Sequence, residues 1–434
     1  MIEFVAKYIA RMPRLLLLAL AIVLNAGAHE MRDMALVGGH DLSGRSAYQP
    51  VIHRQGGRWF AYVGHHAGRA TNPITRVAED NGTSVLDVTD PRSPRLIAHI
   101  PGAPGGGAQM GRVCDVAGGS NTYLLRSYGH SAHEVWDVSK PGQPRRVSVV
   151  SKGLSDTHKS WWECDTGIAY LVSGVPGWRT SRMMQVFDLS EPARPRFIRN
   201  FGLPGQQPGA QGSVPTGLHG PISTGWRANR IYLGYGTNAY GVMQVVDRRK
   251  LLEGGREATE ANLLAPQVGR FDLPFAYGAH TAFPIIGLGD RNYVLVVNEA
   301  LTHHCREEHQ KVWLVDVTVE SKPAVVSTWM PDGADAFCAR GRFGAHASNE
   351  SFAEIYYRKL VFVSWFNAGV RVLDIRDPAR PVEVAYFIPS GDPLTNNVEV
   401  DERGYVYIVD RGALGLHILE LSGAARRIAF PGVS

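Results

Sequence analysis

The sequence predicts an all-β fold, a seven-bladed β-propeller, because one strand-turn-strand motif recurs along the chain. In each copy an apolar strand ends in Asp, and in most copies Ser or Thr follows two positions later. A proline turn then leads to another strand. The five clear copies begin at Val85, Val135, Val186, Leu314 and Val372. The best-defined unit runs from Arg342 to Phe387 and contains four predicted strands, which is the size of one propeller blade.

Two weaker copies and the chain ends complete the predicted ring. Gln244-Val-Val-Asp and Leu416-His-Ile-Leu-Glu-Leu bring the number of copies to seven. Residues 33–41 form a lone strand before the first copy, and the last copy, from Asn397 to Leu421, lacks a convincing outer strand. We therefore predict that the N-terminal strand completes the last blade, since this closure leaves no open sheet edge.

Residues 1–28 are typical of a secretory signal peptide. Lys7, Arg11 and Arg14 precede the apolar run 15–24, and Ala26-Gly27-Ala28 offers a cleavage site. The apolar run is about ten residues long, too short to span a bilayer, and no cysteine follows the cleavage site. We expect a periplasmic or secreted protein without a membrane anchor, in which residues 29–434 form a single propeller domain.

The charge of the chain argues against a nucleic-acid partner. The formal net charge is +5, and Lys7, Arg11 and Arg14 against Glu3 account for two of these charges, which leaves roughly +3, well dispersed, on the mature chain. Gly102 to Gly107 is glycine-rich but lacks the Lys-Ser/Thr of a phosphate loop. A small-molecule partner is the remaining expectation.

The four cysteines fit an oxidising compartment. Cys114 and Cys164 precede similar segments, so they are expected at equivalent heights on neighbouring inner strands. Cys305 and Cys338 flank the long excursion between the fifth and sixth blades. We predict disulfides between Cys114 and Cys164 and between Cys305 and Cys338, and no cysteine ligand to a metal, because no C-x-x-C spacing occurs.

Four histidines recur at intervals of about one blade, each shortly before an apolar strand: His158, His219, His280 and His346. If each begins the innermost strand of its blade, all four imidazoles point into the axial channel at one level. The equivalent positions of the other blades hold amides, near Gln49, Gln109 and Asn396. Converging neutral imidazoles are suited to a transition metal, and we predict copper or iron.

Further polar groups are predicted at the mouth of the channel, where the second strand of each blade ends. His65, His130 and Glu299 are secondary candidates that add a ligand or orient an imidazole. Glu350 is a further candidate for orienting an imidazole. The alternative interpretation is that the histidines are structural and form hydrogen bonds between neighbouring blades.

The repeated Asp-x-Ser/Thr strands with Pro-x-x-Pro turns, together with Gly-His-Asp-Leu-x-Gly-Arg at residues 39–45, resemble the LVIVD-repeat family of secreted β-propellers. This resemblance implies the fold but not an activity, since propellers host many functions. In arrangement, the axial histidines are similar to those of carotenoid-cleaving oxygenases, which hold iron, and of copper-bearing propeller oxidases such as the methanethiol oxidase family and thiocyanate dehydrogenase.

Two function classes follow from the residues and the resemblance. The first is a metal-dependent oxidoreductase that acts on a small molecule and passes electrons to an acceptor that the sequence does not identify. The second is a non-catalytic LVIVD-repeat propeller that serves as a binding or assembly module.

Overall fold

The structure, a computed structural model, describes residues 28–116 and 121–432. The predicted signal peptide, apart from Ala28, lies outside the described residues. Within them, seven antiparallel sheets form a ring, which confirms the predicted seven-bladed propeller. No helix in these two ranges is sufficiently long and apolar to cross a membrane.

The N-terminal part of the ring begins with two strands that belong to other blades, β1 (Glu30–Arg32) and β2 (Met34–His40). Blade 1 comprises β3 (Ala47–Gln55), β4 (Arg58–His65), β7 (Thr83–Asp87) and β8 (Arg95–Ile100), with the small hairpin β5 (Arg69–Thr71) and β6 (Ala78–Asp80) in its loop. Blade 2 comprises β9 (Gly111–Asp115), β10 (Thr122–Tyr128), β11 (Ala132–Asp137) and β12 (Arg145–Lys152). Blade 3 comprises β13 (Ser160–Trp162), β14 (Ile168–Ser173), β15 (Met183–Asp188) and β16 (Arg196–Phe201).

The C-terminal part of the ring repeats this order from the axis outward. Blade 4 comprises β17 (Leu218–Ser223), β18 (Arg230–Tyr235), β19 (Val242–Asp247) and β20 (Gln267–Asp272). Blade 5 comprises β21 (Thr281–Leu288), β22 (Arg291–Val297), β23 (Val312–Asp316) and β24 (Ala324–Trp329). Blade 6 comprises β25 (Ala347–Ser348), β26 (Leu360–Ser364), β27 (Val370–Asp374) and β28 (Val382–Ile388). Blade 7 comprises β29 (Thr395–Val400), β30 (Tyr405–Asp410) and β31 (Leu416–Leu421).

Short helices occupy some of the connections between strands. They are α1 (Gly225–Ala228), α2 (Arg248–Glu253), α3 (Glu260–Leu264), α4 (Ala334–Arg340) and α5 (Gly423–Ala429).

The ring closes through the N-terminal strand, as predicted. Strand β2 pairs antiparallel with β31, from Met34 opposite Leu421 to His40 opposite Leu416, and so becomes the outer strand of blade 7. Strand β1 pairs with β28 and adds a fifth strand to blade 6, which the sequence analysis did not predict. The two neighbouring blades are therefore both sealed by the start of the chain.

The repeated Asp has a local structural cause. In five blades its carboxylate accepts a hydrogen bond from the backbone N–H two residues later, as Asp87 does from Thr89 at 3.0 Å and Asp188 from Ser190 at 2.8 Å. This Asx turn ends the third strand and starts the connection to the fourth. The weaker copy in blade 4 uses Asp247 differently, because its carboxylate caps α2 by accepting from the backbone N–H of Lys250.

Apolar side chains fill the spaces between neighbouring blades. Seven buried clusters correspond to the seven blade-to-blade contacts, including the contact between blades 6 and 7, to which Met34 of β2 contributes. The innermost strands β3, β17 and β21 contain Pro50, Pro221 and Pro284. Proline is tolerated there because an innermost strand has a free edge that faces the axis.

Both predicted disulfides are confirmed. Cys114 on β9 is bonded to Cys164 after β13, which joins blades 2 and 3, with a Cα–Cα distance of 5.1 Å. Cys305 is bonded to Cys338 in α4, with a Cα–Cα distance of 5.4 Å. The described residues contain no free cysteine.

Candidate functional site

Seven side chains, one from each blade, surround the axis at the end where the innermost strands begin. In chain order they are Tyr48, Gln109, His158, His219, His280, His346 and Asn396. Each lies at, or shortly before, the start of its innermost strand, so the repeat of the blade brings the same position to the axis seven times. Four of the seven positions hold the predicted histidines, and these come from the consecutive blades 3 to 6.

The four imidazoles are in contact along the ring. The centroid distances are 4.6 Å between His158 and His219, 3.6 Å between His219 and His280, and 4.5 Å between His280 and His346. The Nε2 atoms of His158 and His219 are 3.0 Å apart. All four residues are buried, with at most 4% of their surface exposed. The structure therefore brings the predicted set together in one enclosed cluster.

The outer ring nitrogens of three histidines are anchored. His158 Nδ1 is 3.0 Å from Oε1 of Gln109, His280 Nδ1 is 2.9 Å from Oγ1 of Thr281, and His346 Nδ1 donates to the backbone carbonyl of Asn396. For His158 and His346 the acceptor places the proton on Nδ1 and leaves a lone pair on Nε2, which faces the centre. Within the described residues, Nε2 of His280 and of His346 has no hydrogen-bond partner. Such outer anchoring is typical of metal-binding histidines.

The histidines of this cluster are neutral at neutral pH. Burial lowers the pKa of all four imidazoles well below the usual value. Nearby positive charge acts in the same direction: Arg182 on His158 and His219, and Arg411 and Arg342 on His346. Neutral imidazole is the form that binds a metal, so the electrostatics of the site favour ligation.

Blade 1 contributes Tyr48 and not the predicted Gln49. The hydroxyl of Tyr48 is 3.1 Å from Nε2 of His158, and burial raises the pKa of this phenol, so it remains protonated. Gln49 is wrong by one residue because successive side chains of a strand point to opposite sides. Its amide instead donates to Glu350, at 3.3 Å.

Glu299, a secondary candidate from the sequence, lies inside the cluster. Its Oε1 is 2.9 Å from Nη2 of Arg342 and 3.5 Å from Nε2 of His346, and its Oε2 is 3.9 Å from Nε2 of His280. Burial raises the pKa of this carboxyl, while Arg411 and Arg342 act against the increase. His219, His280 and Glu299 offer ligand atoms that all lie within 4.8 Å of one another.

The other two secondary candidates do not reach the cluster. His65 is buried, but its Nε2 is 2.8 Å from Oγ of Ser84 and its Nδ1 is 3.3 Å from the carbonyl of Ser46, so both nitrogens are used within blade 1. His130 is exposed in the turn between β10 and β11. The structure therefore does not bring these two side chains to the histidine cluster, because reaching the correct end of the propeller does not direct a side chain to the axis.

A second group of cysteine and histidine side chains has the proximity of a metal site but not its chemistry. Cys305, His309 and Cys338 lie close together near the start of α4. Both sulfur atoms are held in the disulfide, so neither is a thiolate that binds a metal.

Charged side chains fill the channel one level further along the innermost strands. Glu350 forms ion pairs with Lys159 and Arg112, and Glu399 accepts hydrogen bonds from the backbone N–H groups of Glu350 and Ser351. Glu350, expected from the sequence as a candidate to orient an imidazole, is engaged in the structure by these two cations. The four charged side chains of this layer are buried, so the histidine cluster has a filled floor.

A glycine makes room for this floor. A Cβ added to Gly220 would lie 2.2 Å from Cδ of Lys159, so only glycine leaves space for the lysine to cross behind His219. The Leu-His-Gly sequence at residues 218–220 thus combines a site histidine with the opening that the neighbouring blade requires.

Three side chains near Glu299 were not predicted from the sequence. Arg342 precedes His346 by four residues, whereas Phe366 and Arg411 follow the second strands of blades 6 and 7. Phe366 and Arg411 hold the position on their blades that Glu299 holds on blade 5. The rule that selected Glu299, the end of a second strand, was therefore the signal that identifies these two residues as well.

Comparisons with known proteins support the fold alone. No protein-family model and no curated protein sequence matches the chain. Among solved structures, the chain is similar to Raptor from Chaetomium thermophilum, with a TM-score of 0.56 and 11% sequence identity over 91% of this chain. The match covers 30% of Raptor, so the chain spans less than a third of that protein's length. The resemblance to LVIVD-repeat propellers stays an expectation.

Proposed function

We propose that this protein is a metal-dependent oxidoreductase of the periplasm, with copper or iron bound by His158, His219, His280 and His346 on the propeller axis. The observation that carries the proposal is the set of four buried, neutral imidazoles in contact along the ring, of which His158 and His346 are anchored through Nδ1. Imidazole ligands suit both metals. The two disulfides agree with an oxidising compartment.

The distances within two neighbouring pairs, His158 with His219 and His219 with His280, approach those of ligands that share an ion. Two nitrogens bound to a metal at about 2 Å lie no more than about 4 Å apart. The Nε2 atoms of His158 and His219 are 3.0 Å apart, and His219 and His280 offer nitrogens within 4.8 Å of each other, so small rotations of the rings bring them within range. When bound, copper or iron would supply redox chemistry and a coordination position for a small molecule.

Two neighbouring side chains support chemistry at this centre. The Tyr48 hydroxyl, held 3.1 Å from His158, is a buried proton donor. Glu299 is a buried carboxylate between His280, His346 and Arg342, and its raised pKa favours proton exchange nearer neutral pH than an exposed glutamate allows. The floor formed by Lys159, Arg112, Glu350 and Glu399 excludes solvent from the opposite side.

One observation favours the alternative, a non-catalytic binding or assembly propeller. The 3.0 Å distance between the Nε2 atoms of His158 and His219 is also a hydrogen-bond distance, so these two rings satisfy each other without a metal. In that case the histidines would hold neighbouring blades together, and the purified protein would contain no stoichiometric metal.

Metal analysis of protein exported to the periplasm tests the proposal. We expect about one equivalent of copper or iron per chain, and the loss of this metal from each of the four single His→Ala variants. His133→Ala is the matched control, because His133 is equally buried but bonds the carbonyl of Val172, between blades 2 and 3. His417→Ala is a second control away from the cluster.

The results separate the candidate functions. Metal-free wild-type protein that does not bind copper or iron in equilibrium dialysis contradicts the proposal and favours the binding module. Retention of the wild-type metal content by all four variants contradicts the assigned ligands. Zinc as the bound metal would replace redox chemistry by hydrolysis or a structural role.

A further inference from the structure

Two arginines lie against one aromatic ring beside the histidine cluster. The guanidinium carbon of Arg342 is 3.7 Å from the centroid of the Phe366 ring, and that of Arg411 is 5.4 Å from the same centroid. The Phe366 ring is in turn 5.1 Å from the ring of His346. Phe366 therefore gathers two positive charges at the edge of the proposed metal site.

The backbone of Phe366 has an unfavourable conformation. Its φ is 27°, in the left-handed region that bulky residues avoid, and the residue is completely buried. Strained backbone of this kind is retained where the surroundings enforce it, and it concentrates at functional sites. The strain supports a role for this residue in placing the arginines.

The two arginines share one carboxylate as their direct ion-pair partner. Glu299 is the carboxylate that both arginines share, with Oε1 2.9 Å from Nη2 of Arg342 and 3.9 Å from Nη2 of Arg411. Arg182, the third cation that acts on the cluster, is already paired with Asp156 through two hydrogen bonds of 2.8 Å. Among the described residues Glu299 is the carboxylate within 4 Å of Arg342 and Arg411, while Glu307 acts on Arg342 and Asp410 on Arg411 from a greater distance.

Arg411 is the cation with free donors. Among the described residues its guanidinium makes one hydrogen bond, from Nε to Oδ1 of Asn396 at 2.6 Å, and its side chain is 23% exposed. Arg342 is committed more fully, since it also donates to the carbonyl of Ala300. Arg342 borders a surface pocket of about 390 Å³ that Asn367, Leu394 and His303 also line. This pocket reaches Arg342, whereas Arg411 does not line it.

We propose that the molecule which this site binds is a small anion with a carboxylate or similar oxyanion group, held by the free guanidinium donors of Arg411 beside Arg342. The proposal rests on the proposed function in one respect: it names the substrate class of the same site. A planar guanidinium with unused N–H groups matches the two oxygens of such an anion, and two arginines that share one ion-pair partner attract it. Neutral molecules of the same shape gain neither contribution.

Formate and its neutral counterpart formamide are the probes. Binding is measured by calorimetry with wild-type protein, both metal-free and loaded with copper, and with Arg411→Gln. Removing a charge-assisted hydrogen bond costs roughly tenfold to hundredfold in affinity, so we expect formate to bind at least about tenfold more weakly to R411Q. Formamide is expected to bind far more weakly than formate to the wild type.

Two further variants keep the test interpretable. Arg411→Lys retains the charge but not the planar fork, and we expect its formate affinity to lie between those of the wild type and R411Q. Arg376→Gln is the control, because Arg376 is an exposed arginine that pairs with Asp374 after β27, away from the cluster. Thermal melting of each variant verifies that the ring is folded.

The outcomes distinguish this proposal from the metal assignment. Equal formate affinity for the wild type and R411Q, equal affinity for formate and formamide, or no formate binding to either form of the wild type overturns the anion proposal, whatever the metal content. Formate binding that depends on Arg411 in a protein that takes up no metal supports the anion site and contradicts the oxidoreductase.

Discussion

The hydrogen bond that His158 donates to Gln109 provides a direct test of how the site is organised. Gln109 Oε1 is 3.0 Å from His158 Nδ1, while its Nε2 is 3.0 Å from Nδ1 of His66, which orients the amide. Gln109→Leu keeps a similar volume but removes the acceptor that fixes the His158 tautomer. Nδ1 of His158 is then left without its partner, and Nε2 is no longer held toward the centre as an acceptor.

The expected cost follows from this single contact. Loss of an outer partner of a ligating histidine weakens metal binding by about 10- to 100-fold, which corresponds to about 1.4 to 2.8 kcal/mol. Copper affinity, measured by competition with a chromophoric chelator, reports this change directly. Gln185→Leu is the control, because Gln185 is also buried, on β15, and its Oε1 has no hydrogen-bond partner in the described structure.

A Q109L protein that melts like the wild type and binds copper within about twofold of wild-type affinity would refute this reasoning. The tautomer would then be set by something other than Gln109. A metal affinity lowered equally in Q109L and Q185L would instead indicate general destabilisation of the blades, and the anchoring argument would fail as well.

Three further predictions concern the ring itself. Deletion of residues 29–41 removes β2, which pairs with β31 at six positions. At about 1 kcal/mol for each hydrogen bond, the loss is comparable with the total stability of a domain, so we expect loss of cooperative melting. A truncated protein that melts like the wild type would contradict the closure. Acid should destabilise the protein, because burial lowers the pKa of His99 and His133 to about 4, and the unfolded chain binds more protons below pH 6.5. The free energy of unfolding should therefore fall between pH 6.5 and 4 by up to about 3 kcal/mol for each such histidine, and a pH-independent value from denaturant titration would contradict this. Non-reducing peptide mapping of exported protein should link Cys114 to Cys164 and Cys305 to Cys338, and free thiols at any of them would contradict the pairing.

The fold was predictable because its determinants are local and repeated. The carboxylate of Asp87 and its equivalents closes a turn through the backbone two residues away, so the sequence motif and the structure that it forms are the same few residues. The lone strand at Met34–His40 was recognisable because a ring with one strand missing has only one place for it. The pairing of β1 with β28 has no such signal, since three exposed residues carry no hydrophobic pattern.

The candidate site was predictable only in part, for a geometric reason. Recurrence once per blade fixes the height of a residue along the axis, and this placed His158, His219, His280 and His346 correctly. Recurrence does not fix the direction in which a side chain points, since neighbouring residues of a strand point in different directions. For this reason Gln49 was expected at the position that Tyr48 occupies. His65 is the last residue of β4, whereas Glu299 lies two residues after the end of β22, so the two side chains hold different positions, and only Glu299 lies against the histidines of the cluster.

The unequal use of the seven blades explains how a nearly symmetric ring produces a directional site. The four histidines form an arc, and each end is held by a neighbouring blade that has no histidine at the axial position. The amide oxygen of Gln109 accepts from Nδ1 of His158, and the carbonyl of Asn396 accepts from Nδ1 of His346. Tyr48 fills the gap between the two ends of the arc, with its hydroxyl 3.1 Å from His158 and its ring centroid 5.6 Å from that of His346. Arg411 lies over this same tyrosine, at 5.8 Å from its ring. An anion bound by Arg411 therefore meets the site at the gap in the arc, beside the phenol O–H of Tyr48, with Glu299 and Nε2 of His346 next to it.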